Sequence, residues 1–438
     1  MNILTNFPHS KKNCLIYLLF ILYCVLFCWL IPRISFFKKS GLPSRLLLTL
    51  FVLRIFTLIV SCYLNRYYFP VSDSVILNQF GIDEYHLLFQ NPHEYFVNIF
   101  QSNSPEAFSR FLDDSHSYWN NLRTNLLIKM MSIFDLFSFG DFLINTLFYN
   151  FLVFFGFVAL YRVFIKIFPK SFYSLLACIF ILPSALFFTS MINRDGLILL
   201  SLSMIIYHIF FITNNQFSLK RTGLVVFFLL VIFLLRNFVF ITLMPALIAW
   251  LIANKFQKYA FLSFVIVYAF TTVLFFSSGY ISPRANLPQY VSSRQESFVR
   301  IGKAGNSTIN IKPLYPNFKS FISNAPQAFN HAVMRPYLSE ATRIEYAPFA
   351  LEVFIIELIF VAFLFYHQKN ILINPLIYFC VFLSFTMLLI TGYTVPIIGA
   401  IVRYRSIYLI FLSIPMLCYT DWERVKNSII LKRKTVKQ

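Results

Sequence analysis

The sequence predicts an all-α protein: a polytopic transmembrane helical bundle of about eleven spans, with two long extracytoplasmic loops that carry short amphipathic helices. Three observations predict it. The chain is 58% hydrophobic and only 12% charged, and soluble domains carry about twice that charge. Apolar runs of roughly 20 residues, enough for a helix to cross a bilayer, recur from one end to the other. These runs are continuous and do not alternate, which argues against a barrel. No internal repeat and no Gly-rich or Ser-rich linker divides the chain, so 1–438 reads as a single integral membrane domain.

The elements follow in order. Lys11 and Lys12 precede an apolar run with no small-residue cleavage site after it, so a retained first helix is expected over 14–32. The loop RISFFKKSGLPSR is basic and therefore expected in the cytoplasm. A second helix over 46–65 contains Arg54, which must face the bundle interior or snorkel to the interface. Residues 66–138 form the first outer loop and hold Asp73, Asp83, Glu84, Glu94, Glu106, Asp113 and Asp114. Within it Ser104-Pro105-Glu106 has the pattern of a helix start. Phe108, Phe111, Leu112, Trp119 and Leu122 would share one face of that helix. Asn125, Lys129 and Ser132 would form the polar face of a second helix, both lying on the membrane surface.

Further spans are expected over 141–164, 171–191 and 197–213, the last two joined by the polar knot Asn193-Arg194-Asp195-Gly196. The apolar block 223–254 is broken by Arg236-Asn237 into two short spans or a re-entrant pair. A span over 259–279 leads to the second outer loop, 281–345, which is basic and ends NAPQAFNHAVMRPYLSEA, a short amphipathic helix running into Arg335-Pro336. Spans over 346–366, with Glu352 and Glu357, and 371–392 follow, and YTVPIIGAIVRYRS opens the last. The basic tail 420–438 is expected in the cytoplasm.

The net charge of +20 would raise nucleic acid as a partner in a soluble protein; here Lys and Arg in cytoplasmic loops account for part of it, and no nucleic-acid partner is expected. The seven Cys lie in or at the ends of apolar segments, so neither a structural disulfide nor a Cys-based metal site is expected. No Walker A, no GxGxxG after a strand, no HExxH and no paired CxxC occurs, and no cofactor is expected. The sequon Asn306-Ser307-Thr308 is a short match that occurs often by chance.

The residues with chemistry fall into two sets. Arg194, Arg236, Arg335, Arg403 and Arg405 each stand at a helix end on the outer side of the expected topology, against the positive-inside trend. Either they snorkel singly to headgroups or they line one pocket for an anionic substrate, whose phosphate oxygens an Arg fork would bind in pairs. The carboxylates are the other set. Asp83, beside Glu84, Tyr85 and His86, is the first candidate general base, ahead of Asp73. Apolar Phe80, Ile82, Leu87 and Leu88 around Asp83 would hold it against the bundle. Asp195 joins the candidate catalytic acids as part of the knot, and His331 stands near Arg335 as a possible base or substrate ligand.

With SDSVILNQFGIDEYH in the first outer loop, LPSALFFTSMINRDGLI, MRPYLSEA and GAIVRYRS, the chain resembles bacterial envelope polysaccharide proteins: the GT-C membrane glycosyltransferases and the O-antigen polymerase-like proteins. The resemblance implies an acidic motif in the first outer loop, a role Asp73 or Asp83 would fill, although that loop follows the second expected span here and not the first. Polymerase-like members are thought to rely on outer-face arginines without a metal, which would make Arg194, Arg236, Arg403 and Arg405 the working residues. The implied function is a glycosyltransferase or polysaccharide polymerase of the bacterial inner (cytoplasmic) membrane. It would use a polyprenyl-(di)phosphate-linked saccharide on the outer face. The alternatives are a transporter or flippase for an anionic lipid-linked sugar or solute, and a non-catalytic subunit of an envelope complex.

Overall fold

A computed structural model describes residues 9–68, 72–102, 117–282, 286–302, 308–340, 345–368 and 372–435. Every element among them is helical. The chain runs α1 (His9–Leu30), α2 (Ser35–Lys38), α3 (Ser44–Tyr67), α4 (Asp73–Gln90), α5 (Pro92–Val97), α6 (Tyr118–Ser138) and α7 (Phe142–Ile167). It continues through α8 (Phe172–Leu176, followed by a π-helical stretch Ala177–Ile181), α9 (Pro183–Ser190), α10 (Arg194–Thr213), α11 (Leu219–Leu235), α12 (Asn237–Lys255) and α13 (Ala260–Ile281). The last elements are α14 (Leu287–Gly302), α15 (Phe318–Met334), α16 (Ala347–Tyr366), α17 (Pro375–Thr394), α18 (Ile398–Tyr419) and α19 (Trp422–Thr435).

Eight helices among the described residues are long and apolar enough to cross a membrane: α3, α7, α10, α12, α13 with the turn before it, α16, α17 and α18. The pair from Phe172 to Ser190 makes nine if its two arms count as one span. That pair bends by 42° at Leu182-Pro183, where proline supplies no N–H to the preceding turn. The apolar part of α1 is shorter, and α11 has 17 residues. The chain is thus an all-helical, multi-pass membrane protein.

The helices sort into two compact units. The first holds residues 1–163 and 186–238, the second 164–185 and 239–438. In the first, α10 is the most enclosed helix and packs on α7, where Gly156 lets the two backbones approach at Leu200. Phe37, Phe51, Phe154 and Phe157 fill its interior. In the second, α17 lies among α13, α14, α15 and α18. A Cβ on Gly392 would overlap the Ala328 carbonyl, so only glycine permits the α15–α17 crossing. By contrast α13 and α16 keep most of their apolar surface exposed, as lipid-facing helices do.

In the first long polar segment the structure shows where the polar groups of α6 go. Ser104-Pro105-Glu106, Phe108, Phe111 and Leu112 lie outside the described residues, as do Asn306 and Ser307 of the sequon. The polar face of α6 is turned inward. Lys129 Nζ meets Glu84 Oε2 at 2.5 Å and stands 3.6 Å from the centre of the Tyr95 ring. Ser132 Oγ bonds the Tyr95 hydroxyl at 2.8 Å, and Asn125 Nδ2 donates to the carbonyls of Asn98, Ile99 and Gln101. These polar groups find partners on the helices packed beside them, so α6 is a packed helix whose polar stripe faces α4, α5 and the turn after it.

Candidate functional site

The knot Asn193-Arg194-Asp195-Gly196 forms the start of α10. Asn193 caps the helix, its side-chain oxygen accepting from the Asp195 and Gly196 amides at 2.8 and 3.4 Å. Asp195 sits in the first turn, where the helix dipole favours an anion. Its carboxylate is completely buried and pairs with Arg236, Nη2 to Oδ1 2.8 Å. Arg236 stands in extended backbone (φ −151°, ψ 96°) between α11 and α12, so the break in the apolar block is what delivers the guanidinium. Glycine is required at 196, because a Cβ there would overlap the Tyr149 hydroxyl. That hydroxyl donates to the Asn193 carbonyl at 2.6 Å.

Arg54 belongs to the same unit and faces the interior. It donates to Asn150 Oδ1 at 2.6 Å, to Thr189 Oγ1 at 3.2 Å and to the Thr189 carbonyl at 3.1 Å, with its guanidinium 4.6 Å from the Phe157 ring centre. Asn150 also donates to the Ser190 carbonyl at 2.8 Å. Arg54 and Asn150 therefore satisfy carbonyls that α9 leaves open at its end, while Tyr149 holds the carbonyl of Asn193.

In the second unit Arg405 is completely buried. Its Nη1 donates to the carbonyls of Ala332 (3.3 Å), Val333 (3.4 Å) and Arg335, where α15 ends. Its Nε and Nη2 have no partner. Glu352 on α16 is 3% exposed; its Oε1 accepts from the Ser184 amide at 3.2 Å and the Ser184 hydroxyl at 3.0 Å, at the start of α9. Its Oε2 has no partner. Glu352 and Glu357 both act electrostatically on Arg405, yet no direct ion pair joins either to it among the described residues. His331 is 4% exposed with Nδ1 unpartnered, and burial followed by Arg335 lowers its pKa, so it is neutral at pH 7. Arg335 pairs with Glu340 through Nη1 at 3.0 Å and leaves Nε without a partner. Buried polar atoms are nearly always satisfied, so these five open atoms stand out, although the first unit holds others, Arg54 Nε, Asp135 Oδ2 and His208 Nδ1 among them.

The candidate residues thus divide between the units. Arg194 and Arg236 lie in the first; Arg335, Arg403, Arg405 and His331 lie in the second. Arg194 Nη2 donates to Thr124 Oγ1 at 3.0 Å, and Arg403 is half-buried two residues before Arg405 on α18, towards the other side of that helix. Asp73 opens α4 and is exposed. Asp83 is also exposed, with Gln79 Nε2 3.5 Å away on its own helix. The apolar flanks do not hold it against the bundle, because α4 buries the stripe Ser74, Leu77, Asn78 and Gly81, and the next inward position falls on Glu84. Sequence reasoning placed Glu352 in a span but missed it as a site residue. The available signal was a second acid in the most apolar helix of the chain, next to no Lys or Arg of its own.

Fold and buried charge define the class: a multi-pass helical membrane protein with ionisable groups held inside it. No protein-family model, no curated protein and no solved structure matches the chain, so the site must be read from its own chemistry.

Proposed function

We propose that this chain is a glycosyltransferase or polysaccharide polymerase that uses a polyprenyl-(di)phosphate-linked saccharide at the outer face of a bacterial inner membrane, with its C-terminus in the cytoplasm. The observation that carries the reading is the open charge of the second unit: Arg405 and Glu352, both buried, each keep an uncommitted polar atom and do not neutralise each other directly. Ionisable groups held at such cost inside a membrane protein mark function by default. The free donors of Arg405 and Arg335 suit phosphate oxygens, and Arg403 adds a third cation on the same stretch of α18.

The chemistry would be displacement at the anomeric carbon. The bond from that carbon to the phosphate oxygen breaks, the bond to an acceptor hydroxyl oxygen forms, and the hydroxyl proton passes to a carboxylate. The arginines would stabilise the charge that develops on the leaving phosphate. Glu352, through Oε2, is the carboxylate we favour as base, because it belongs to the same unit as these arginines; Asp83 and Asp73 are exposed, and Asp195 is committed to Arg236.

A transporter of an anionic lipid-linked solute is the second reading. It is favoured by the bent pair α8–α9, whose break at Leu182-Pro183 leaves a half-helix start in a spanning segment, as broken transporter helices do.

The test uses the whole protein in nanodiscs. Binding of a synthetic polyprenyl diphosphate should exceed that of the parent polyprenol, and Arg405→Lys should weaken it, because an ammonium cannot reproduce the fork. Incubation with polyprenyl-linked oligosaccharide extracted from the source cells should lengthen the glycan, and Glu352→Gln should stop that while leaving diphosphate binding in place. Equal binding of diphosphate and polyprenol removes the anion reading. Binding without elongation, together with movement of labelled lipid between leaflets, favours the transporter.

A further inference from the structure

A second cationic cluster lies in the first unit at the other end of α10 and α11. Asp195 and His208 are separated by 13 residues of α10 (208 − 195), about 20 Å along a helix, so this cluster is distinct from the knot. Arg162 on α7 stands 4.8 Å from the Phe36 ring centre and 4.8 Å from that of Tyr207. Tyr207 packs 4.8 Å from Phe211, and Phe211 lies 5.1 Å from the guanidinium of Arg221 on α11. A platform of three aromatic rings thus holds two guanidiniums, and His208, 5.1 Å from Tyr207 between ring centres, stands beside them. The two guanidiniums repel each other and both repel a protonated His208.

Among the described residues no carboxylate pairs with either guanidinium. Arg162 spends one N–H on the Phe36 carbonyl at 3.2 Å. Arg221 spends two on Gln216, at 2.8 and 3.1 Å. Each guanidinium has five N–H donors, so most remain uncommitted. His208 Nδ1 is buried without a partner. No Asp or Glu occurs in residues 1–72, 142–194 or 196–295, which include every segment that contributes to the cluster. All three side chains are half-buried, and exposed Lys38 and Lys39 follow Phe36.

The cluster lies towards the ends of two candidate spans, α7 and α10, which suits a lipid headgroup. Arg162 is five residues from the end of α7 (167 − 162) and His208 five from the end of α10 (213 − 208), while Arg221 lies in the first turn of α11. At 1.5 Å per residue the first two sit about 7–8 Å inside the ends of two candidate spans, close enough for an arginine to reach a headgroup along its own length. We infer that Arg162, His208 and Arg221 form a binding site for the phosphate of an anionic membrane phospholipid, held on the Phe36–Tyr207–Phe211 platform. The site is independent of the proposed transferase function.

The whole protein, delipidated in mild detergent, is titrated with dioleoyl phosphatidylglycerol, with dioleoyl phosphatidylcholine and with inorganic phosphate, and bound lipid is counted by native mass spectrometry. Phosphatidylglycerol should bind about tenfold tighter than phosphatidylcholine, and inorganic phosphate should not displace it, because the acyl chains hold it in place. Arg221→Gln, at a half-exposed position, should remove most of that preference without changing the melting temperature. Arg162→Lys should give an intermediate loss, since it keeps the charge and gives up the fork. Equal binding of the two lipids, an unchanged preference in Arg221→Gln, or displacement by inorganic phosphate would overturn the assignment. If a variant melts early, the salt dependence of the wild-type preference decides: a preference that does not weaken with salt is not electrostatic.

Discussion

The two units bury arginine in the same way and carboxylate in different ways. Arg54 in the first and Arg405 in the second each turn a guanidinium onto the carbonyls at the end of a helix, Thr189 in one case and Ala332, Val333 and Arg335 in the other. A helix end leaves its last carbonyls open, and in an apolar interior a cationic donor is an effective cap. Capping therefore accounts for part of each buried arginine, and Arg405 keeps both Nε and Nη2 open beyond it. The carboxylates separate them: Asp195 closes on Arg236, whereas Glu352 holds a helix start and leaves one oxygen unused near an arginine it does not touch. The closed pair reads as architecture, the open one as a site.

The sharpest way to break the contrast is to open the closed pair. Asp195→Ala leaves Arg236 buried without its counter-charge, which should cost about 3–5 kcal/mol of stability. Unfolding in mixed micelles measures it. Asp195→Leu combined with Arg236→Met removes both charges and should recover most of the loss. If the double variant is no better than the single, Arg236 was never relying on Asp195.

In the second unit the same type of change should fall on function more than on stability. Arg405→Met removes charge-assisted bonds to three carbonyls and should cost about 1.5–3 kcal/mol. Glu352→Gln keeps an acceptor for Ser184 and should change stability by less than about 1 kcal/mol while abolishing glycan elongation. A Glu352→Gln protein that melts as early as Arg405→Met, with elongation intact, would make Glu352 a structural acid and erase the distinction between the units.

What was legible in the sequence was set by length and periodicity. Runs such as 142–167 or 398–419 announce themselves because a bilayer demands about 20 apolar residues in a row. The break at Arg236 was equally visible, since a lone arginine interrupts an apolar run locally, whereas 171–191 read as one span and its bend at Pro183 was not expected. Which side chains meet was not legible. Asp83 and Glu84 are adjacent in sequence but about 100° apart around α4, and only the packing of α6 decides that Glu84 points inward to Lys129. Glu352 looked like one more acid in a span because its partner, Ser184, lies 168 residues away.

Asp135 supplies the last test, because it is a buried carboxylate with no ion-pair partner among the described residues. Its Oδ1 accepts from Asn145 Nδ2 at 2.6 Å and Ser138 Oγ at 3.2 Å, its Oδ2 has no partner, and the Gly81 face of α4 closes over it. Burial raises its pKa to about 6; the bonds from Asn145 and Ser138 and the charge of His86 pull down, and Asp141 pushes up. The native state therefore holds this proton more tightly than the unfolded chain, whose aspartate titrates near 3.8. Its contribution to stability is full below about pH 4, declines as pH rises towards about 6, and stays lost above that. The slope between those limits is at most about 1.4 kcal/mol per pH unit. Asp135→Asn imitates the protonated carboxyl, so its melting temperature should change less between pH 4.5 and 7 than that of the wild type and should be the higher at pH 7. Asp195→Asn should show no such gain at pH 7, because it removes the partner of Arg236. Equal pH dependence in wild type and Asp135→Asn would mean that Asp135 is ionised in the native state throughout this range. The first unit would then hold, between α4, α6 and α7, a second open carboxylate of the kind we assign only to Glu352.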